Sequence, residues 1–99
     1  MIKFYTLSNR VEIDLEEIWR LSYEMWSVKQ ANRYHELLMN EIEYLSLNQD
    51  TGKKYDFGRK GYFISKVKSH MIFYKKKKEK GIDVIRILHQ RMDLIARVL

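Results

Sequence analysis

Four side chains in the second half of the chain have the types needed for acid–base work on a phosphodiester: His70, Tyr74, Arg86 and His89. Metal-independent RNA cleavage needs a base for the 2′-hydroxyl, an acid for the leaving oxygen and a cation for the phosphorane. Histidine and tyrosine suit the first two roles, arginine the third. The ordinary alternative is packing. His89 follows Ile85 and Ile87 on one predicted strand, and a lone histidine among apolar residues is more often structural. Metal binding has less support, because His35, His70 and His89 lack H-x3-H spacing and no loop is carboxylate-rich. The chain has no cysteine, so thiolate sites and disulfides are excluded. It has neither G-x4-G-K-[ST] nor G-x-G-x-x-G, the glycine-rich signatures of phosphate loops. We expect no metal and no cofactor.

Two further groupings suit binding rather than catalysis. Trp19, Tyr23 and Trp26 stand four and three residues apart on one predicted helix. That spacing serves either a packed core or a partner-binding ridge, since Trp and Tyr dominate interface hot spots. The run Lys75-Lys76-Lys77-Lys78, followed by Lys80, would project from a hairpin tip. It could contact phosphate or an acidic surface, or simply discourage edge pairing.

The elements that must position these groups follow from periodicity and turn chemistry. Ile2 to Leu7 is apolar and aromatic enough for a first strand. Asp14, with Glu17 three residues on, has the pattern of a helix N-cap, and Leu15, Ile18, Trp19, Ser22 and Met25 supply an apolar stripe. Ser27 and Gln30 repeat the capping pattern, predicting a bend and a second helix over about 28–47. Its stripe is Ala31, Tyr34, Leu38, Ile42 and Leu45, widened by Leu37. Asn48 to Gly52 stops it, and an irregular loop is expected up to Gly61. Tyr62–Lys68, His70–Lys76 and Ile82–His89 then read as three strands of an antiparallel meander. Alternation puts Ile82, Val84 and Leu88 on one face of the last strand, with Ile85 and Ile87 on the other, so this strand should be central or covered twice. The expected fold is α+β, ordered β-α-α-β-β-β, with an N-terminal helical hairpin packed on a small antiparallel sheet.

Ninety-nine residues at 12.1 kDa fit one domain spanning 1–99, with a thin core. Apolar residues at 45% and charged residues at 32% indicate a globular chain. No apolar run approaches the ~18 residues of a membrane span, and the first ten residues lack a secretion signal's apolar region, so a soluble, cytoplasmic protein without membrane contact is expected. The charge is asymmetric. Residues 1–49 carry 5 Lys/Arg against 8 Asp/Glu, a net of −3, and residues 50–99 carry 14 against 5, a net of +9. A basic half beside an acidic half suggests an anionic partner. The helical hairpin lacks the basic recognition helix of a helix-turn-helix, so direct reading of a DNA sequence is not expected.

Several stretches together resemble the ParE branch of the RelE/ParE toxins of type II toxin–antitoxin modules. They are Asp14-Leu15-Glu16-Glu17-Ile18, Tyr23-Glu24-Met25-Trp26, Gln30-Ala31 with Arg33-Tyr34, Gly61-Tyr62, Ser69-His70-Met71-Ile72-Phe73-Tyr74, and the string from Val84 to Asp93. The likeness covers about residues 10–99 in order, and its last two strings are the most specific. It departs in one place: such chains usually carry a proline after the asparagine that ends the second helix, whereas Gln49 follows Asn48 here and the chain has no proline.

The resemblance implies a growth-inhibiting toxin neutralised by a ParD-like antitoxin, with DNA gyrase as target and operator DNA reached only through the antitoxin. Such a toxin binds rather than catalyses. The RelE branch, ribosome-dependent mRNA endonucleases of similar fold, is the alternative; Met71 stands where those nucleases carry a strand arginine. On this reading Trp19, Tyr23, Trp26 and Arg86 are the expected antitoxin contacts. Lys75, Lys76, Lys77, Lys78, His89, Arg91, Met92 and Asp93 are the expected target contacts.

Overall fold

Two serines start the two helices. Ser8, in extended conformation, accepts a hydrogen bond from the Val11 N–H at 3.1 Å and opens α1 (Asn9–Met25). Ser27 accepts from the Gln30 N–H at 3.1 Å and opens α2 (Val28–Leu47). Each side-chain oxygen satisfies a backbone donor that the first helical turn leaves unpaired. The computed structural model describes residues 3–55 and 61–90. Helix α2 matches the sequence expectation, but α1 begins at Asn9 rather than at Asp14. Asp14 is instead an interior residue: Val11, Asp14, Leu15 and Ile18 fall at i, i+3, i+4 and i+7 and form the buried face. Met25, expected on that stripe, is exposed, as is Leu37 on α2.

The sheet has five strands in the order β1-β5-β4-β3-β2. Its centre is the expected antiparallel meander of β3 (Tyr62–Val67), β4 (His70–Lys76) and β5 (Ile82–His89). Two features differ from expectation. The first strand is short, β1 (Tyr5–Leu7), and runs parallel to β5, with Tyr5 opposite Ile82 and Leu7 opposite Val84, so the sheet is mixed. The direction of an edge strand depends on how the chain returns to it, which its own residues do not encode. A two-residue strand, β2 (Lys53–Lys54), also pairs antiparallel with β3 inside the segment expected to be irregular. The rest of that expected loop, residues 56–60, lies outside the described residues.

A bulge in β5 changes which residues face the helices. Tyr74 pairs with Val84 and Phe73 with Arg86, leaving Ile85 as the extra residue. Simple alternation placed Leu88 with Ile82 and Val84. After the bulge it is Ile87 that joins Ile82 and Val84 in the helix-side core, with Leu15, Ile18, Leu38, Ile42, Leu45 and Ile72. Leu88 and Ile85 belong to a second cluster on the other face, around Tyr62 and Phe73. Central between β1 and β4, β5 is buried on both faces, as its apolar residues require.

Tyr74 is fully buried in the core and stacks on Phe63 with ring centroids 5.6 Å apart. Its hydroxyl donates to the Gln49 carbonyl at 3.1 Å and accepts from the Gly52 N–H at 2.8 Å. A Cβ at residue 52 would overlap that hydroxyl, which explains glycine there. Gln49, standing where proline was expected, donates from its side chain to the Gly81 carbonyl at 2.7 Å and ties the end of α2 to the β4–β5 turn.

Candidate functional site

A groove of about 760 Å³ runs between α1, the start of α2 and the end of the sheet where β4 begins and β5 finishes. The Asp14–Arg86 pair forms its floor. Asp14 is 4% exposed and Arg86 12%. The Arg86 Nε donates to Asp14 Oδ2 at 2.9 Å, Nη2 donates to Oδ1 at 3.0 Å, and the Ile87 N–H adds a third bond at 3.0 Å. Arg10, one turn before Asp14, stands 3.9 Å from the same carboxylate. A two-point arginine–carboxylate contact with a backbone donor locks α1 onto the bulge of β5. The acidic residue of a helix stripe is tolerated in the core because the sheet supplies its partners.

The inner wall holds a second polar cluster. His70, first in β4, pairs in register with His89, last in β5, and their rings meet edge to face with centroids 5.3 Å apart. The Tyr34 hydroxyl lies 2.6 Å from His70 Nδ1 and 3.2 Å from the Val67 carbonyl. Burial, and after it the charge His89 can carry, lower the His70 pKa to about 4, so His70 is neutral at pH 7. Burial raises the Tyr34 pKa against a backbone hydrogen bond from the Ser69 region that lowers it, so the phenol keeps its proton. The turn at the rim passes through Lys68, whose φ of 54° lies in the left-handed region that favours glycine. The outer wall is apolar and open: Leu21, Met25 and Trp26 line it, and Trp26 is 72% exposed.

The family model described as "ParE toxin of type II toxin-antitoxin system, parDE" matches residues 5–94. This chain belongs to that family. Toxin ParE1 of Mycobacterium tuberculosis is 41% identical over 90 residues, which cover 91% of this chain and 92% of the relative. Toxin ParE1 of Caulobacter vibrioides is 34% identical over 97 residues, covering 98% and 99%. A solved chain of the chromosomal ParDE toxin–antitoxin system from P. aeruginosa superposes with a TM-score of 0.73 at 14% identity, over 90% of this chain and 96% of its own, a likeness of fold. The chain is therefore a ParE toxin, the toxin component of a type II toxin–antitoxin system.

The geometry divides the residues singled out in this ParE sequence. Trp26 and Arg86 share the groove. Trp19 and Tyr23 do not line it: they stack on each other at 5.5 Å, and the Trp19 indole donates to the Asn32 side chain of α2 at 2.9 Å. Of the four groups with acid–base types, His70, His89 and Arg86 line the groove, whereas Tyr74 is locked in the core four residues along β4. Met71 packs on the opposite face of the sheet, in the Tyr62–Phe73–Leu88 cluster.

The lysine run lies at the other end of the sheet from His89. His70 and Lys76 are the first and last of the seven residues of β4, about 20 Å apart over six steps of ~3.3 Å. Lys75 and Lys76 are strand residues rather than a hairpin tip, with Lys75 over the Tyr62 ring at 4.8 Å and Lys76 over Phe63 at 5.1 Å. Lys77 and Lys78 begin the turn. Arg91, Met92 and Asp93 fall outside the described residues. Sequence reading missed the Asp14–Arg86 pair and the Tyr34–His70 bond, which join residues 72 and 36 positions apart. Among the described residues no helix is long and apolar enough to cross a membrane, and no group of three His, Asp or Glu side chains is placed to hold a metal.

Proposed function

We propose that this ParE toxin acts by binding rather than by catalysis, and that it arrests growth by trapping DNA gyrase on cleaved DNA. The observation that carries this reading is the prior commitment of the groups a nuclease would use. Arg86 is held by Asp14 on the groove floor, and Tyr74 serves Gln49 and Gly52 away from it. Freeing Arg86 or Tyr74 to act on a phosphodiester would mean breaking buried bonds of the core, each break leaving a desolvated group without its partner. The phenol that does lie beside His70, Tyr34, is already bonded to that ring and close to the Val67 carbonyl.

The groove is the seat of the neutralising partner in this reading. Its open apolar wall and the cations at its rim, Arg10 and Lys68, suit an amphipathic acidic segment, the type of chain that a ParD-like antitoxin would fold onto its toxin. The solved ParDE system of similar fold supports a partner of this kind. Operator DNA would then be read by the antitoxin, with the toxin carried on it, and a toxin that meets these partners would act in the cytoplasm.

The test mixes purified toxin with gyrase and supercoiled DNA, and separately with translating ribosomes. Accumulation of gyrase-linked cleaved DNA, unchanged by His70→Gln, is the expected result. A general acid or base would cost about 10²–10⁴-fold in rate when removed. Cleaved mRNA without a gyrase effect would establish the nuclease reading instead.

A further inference from the structure

The end of the sheet away from the groove gathers lysines from segments far apart in the chain. Lys54 is on the β2 edge, Lys76 ends β4, Lys77, Lys78 and Lys80 lie on the β4–β5 turn, and Lys3 precedes β1. Strand pairing brings them together: Lys76 lies opposite Ile82, which lies opposite Tyr5, and Lys54 lies opposite Phe63 one strand from Tyr74. Five strands at ~4.8 Å make this rim about 19 Å wide. Asp50, Glu79 and Asp83 lie among the lysines, with Asp50 paired to Lys76 and Asp83 accepting from the Thr6 hydroxyl. The rim stays cationic.

We infer that this rim holds the phosphate backbone of duplex DNA without reading its sequence. Three observations favour that occupant. Protein interfaces are rich in Arg and aromatic side chains and poor in Lys, yet among the described residues the cations here are all lysines, point charges suited to phosphate. A membrane surface would need exposed apolar groups beside the cations. On the sheet rim itself the rings lie beneath the ammonium groups, Lys80 over Phe4 at 4.7 Å and Lys76 over Phe63 at 5.1 Å, and the exposed Tyr44 and Leu47 belong to the end of α2 rather than to the strands. The run is also only part of the surface, because Lys3 and Lys54 extend it across the whole sheet. The choice of DNA among polyanions rests on the gyrase reading: a toxin that traps a gyrase–DNA complex would touch enzyme and DNA at once.

The experiment measures the full-length toxin by fluorescence anisotropy against two unrelated 30-base-pair DNA duplexes across 50–200 mM salt. Equal affinity for both duplexes is expected. So is a log–log salt slope near −3 to −5, about 0.9 per phosphate contacted. The triple variant Lys54→Gln/Lys78→Gln/Lys80→Gln should flatten that slope by two to three and weaken binding at least tenfold at low salt. The triple variant Lys29→Gln/Arg33→Gln/Lys66→Gln removes the same charge elsewhere and should bind as the parent does; circular dichroism checks that both fold. Equal losses in the two variants would reduce the effect to net charge and overturn the proposal. So would absent DNA binding, or tighter binding to single-stranded RNA, to poly-glutamate or to vesicles containing phosphatidylserine. Gyrase assays run in parallel separate the two claims. Trapped gyrase without intrinsic DNA binding sinks only the rim, and DNA binding without trapped gyrase sinks only the target.

Discussion

The two ends of the sheet solve opposite electrostatic problems. At the groove end charges of both signs are buried and matched, as Asp14 and Arg86 are, while aromatic and aliphatic side chains face water. At the lysine end one sign dominates, the charges face water and the rings lie underneath. A matched, desolvated pair with apolar walls favours one partner of one shape, and salt affects such an interface little. A single-sign rim acts at a distance, accelerates encounter and is screened within about 10 Å at 0.1 M salt. One small domain thus presents two surfaces of opposite electrostatic character, and their mutational and salt responses should differ accordingly.

The largest difference should appear in stability. Asp14→Ala leaves Arg86 in the groove floor without its carboxylate and strips the Ile87 N–H of its acceptor, so a loss of about 3–5 kcal/mol is expected in urea denaturation. Replacing both partners, Asp14→Leu with Arg86→Met, should recover much of that loss, because no charge is then stranded. Lys78→Gln at the other end should change stability by less than about 0.5 kcal/mol. A similar cost at both ends would erase the contrast.

The core between the two ends sets the next scale. Leu38 and Ile42 are fully buried against the helix face of the sheet. Leu38→Ala and Ile42→Ala should each cost about 2–4 kcal/mol through lost burial and the cavity left behind. The same denaturation experiment checks it, and effects under ~1 kcal/mol at both would mean that the face has collapsed around the gap.

Binding sharpens the contrast within the groove end itself. Trp26 lines the groove and Trp19 lies against α2. Trp26→Ala should weaken a ParD-like antitoxin by more than about 2 kcal/mol in calorimetry, and Trp19→Ala by much less, if the groove is the seat. Tyr23, 48% exposed and stacked on Trp19, should follow Trp19. Equal losses at Trp19 and Trp26 would extend the interface round the hairpin.

The elements were legible where local signals agreed. Helix α2 has Ser27 to start it, an unbroken stripe and Asn48 to stop it, and β4 and β5 are bounded by short turns, so their limits could be read directly. Asp14 shows why the site was harder. Its residue type and the following glutamates look like a cap, and only the position of Arg86, brought near by the fold, makes it a buried partner. The Ile85 bulge had the same effect on β5: alternation is a local rule, and the extra residue that reverses it is set by pairing with β4. Parallel pairing of β1 and the convergence of Lys3 and Lys54 with the lysine run are likewise properties of topology.

The smallest expected effect tests the His70–Tyr34–His89 cluster. His70 titrates near 6.5 in the unfolded chain and at about 4 when folded, so the unfolded state binds the proton first as pH falls. Its contribution is intact above pH 6.5 and is lost between about 6.5 and 4. Water reaches His70, which is only half-buried, so the loss should stay near or below ~1 kcal/mol. After burial, the adjoining His89 ring acts in the same direction, while the groove around the cluster holds both cations, Arg10, Lys68 and Arg86, and the carboxylates of Asp14 and Glu17. Thermal unfolding followed from pH 7 to pH 4 should therefore fall more steeply for the parent than for His70→Gln, which retains a hydrogen-bonding side chain beside Tyr34 but cannot titrate. Proton NMR of the imidazole gives the direct check. A His70 midpoint near 6.5 would mean that water and partners stabilise its charge as well as bulk solvent does, and the inner wall of the groove would then be as open as the lysine rim.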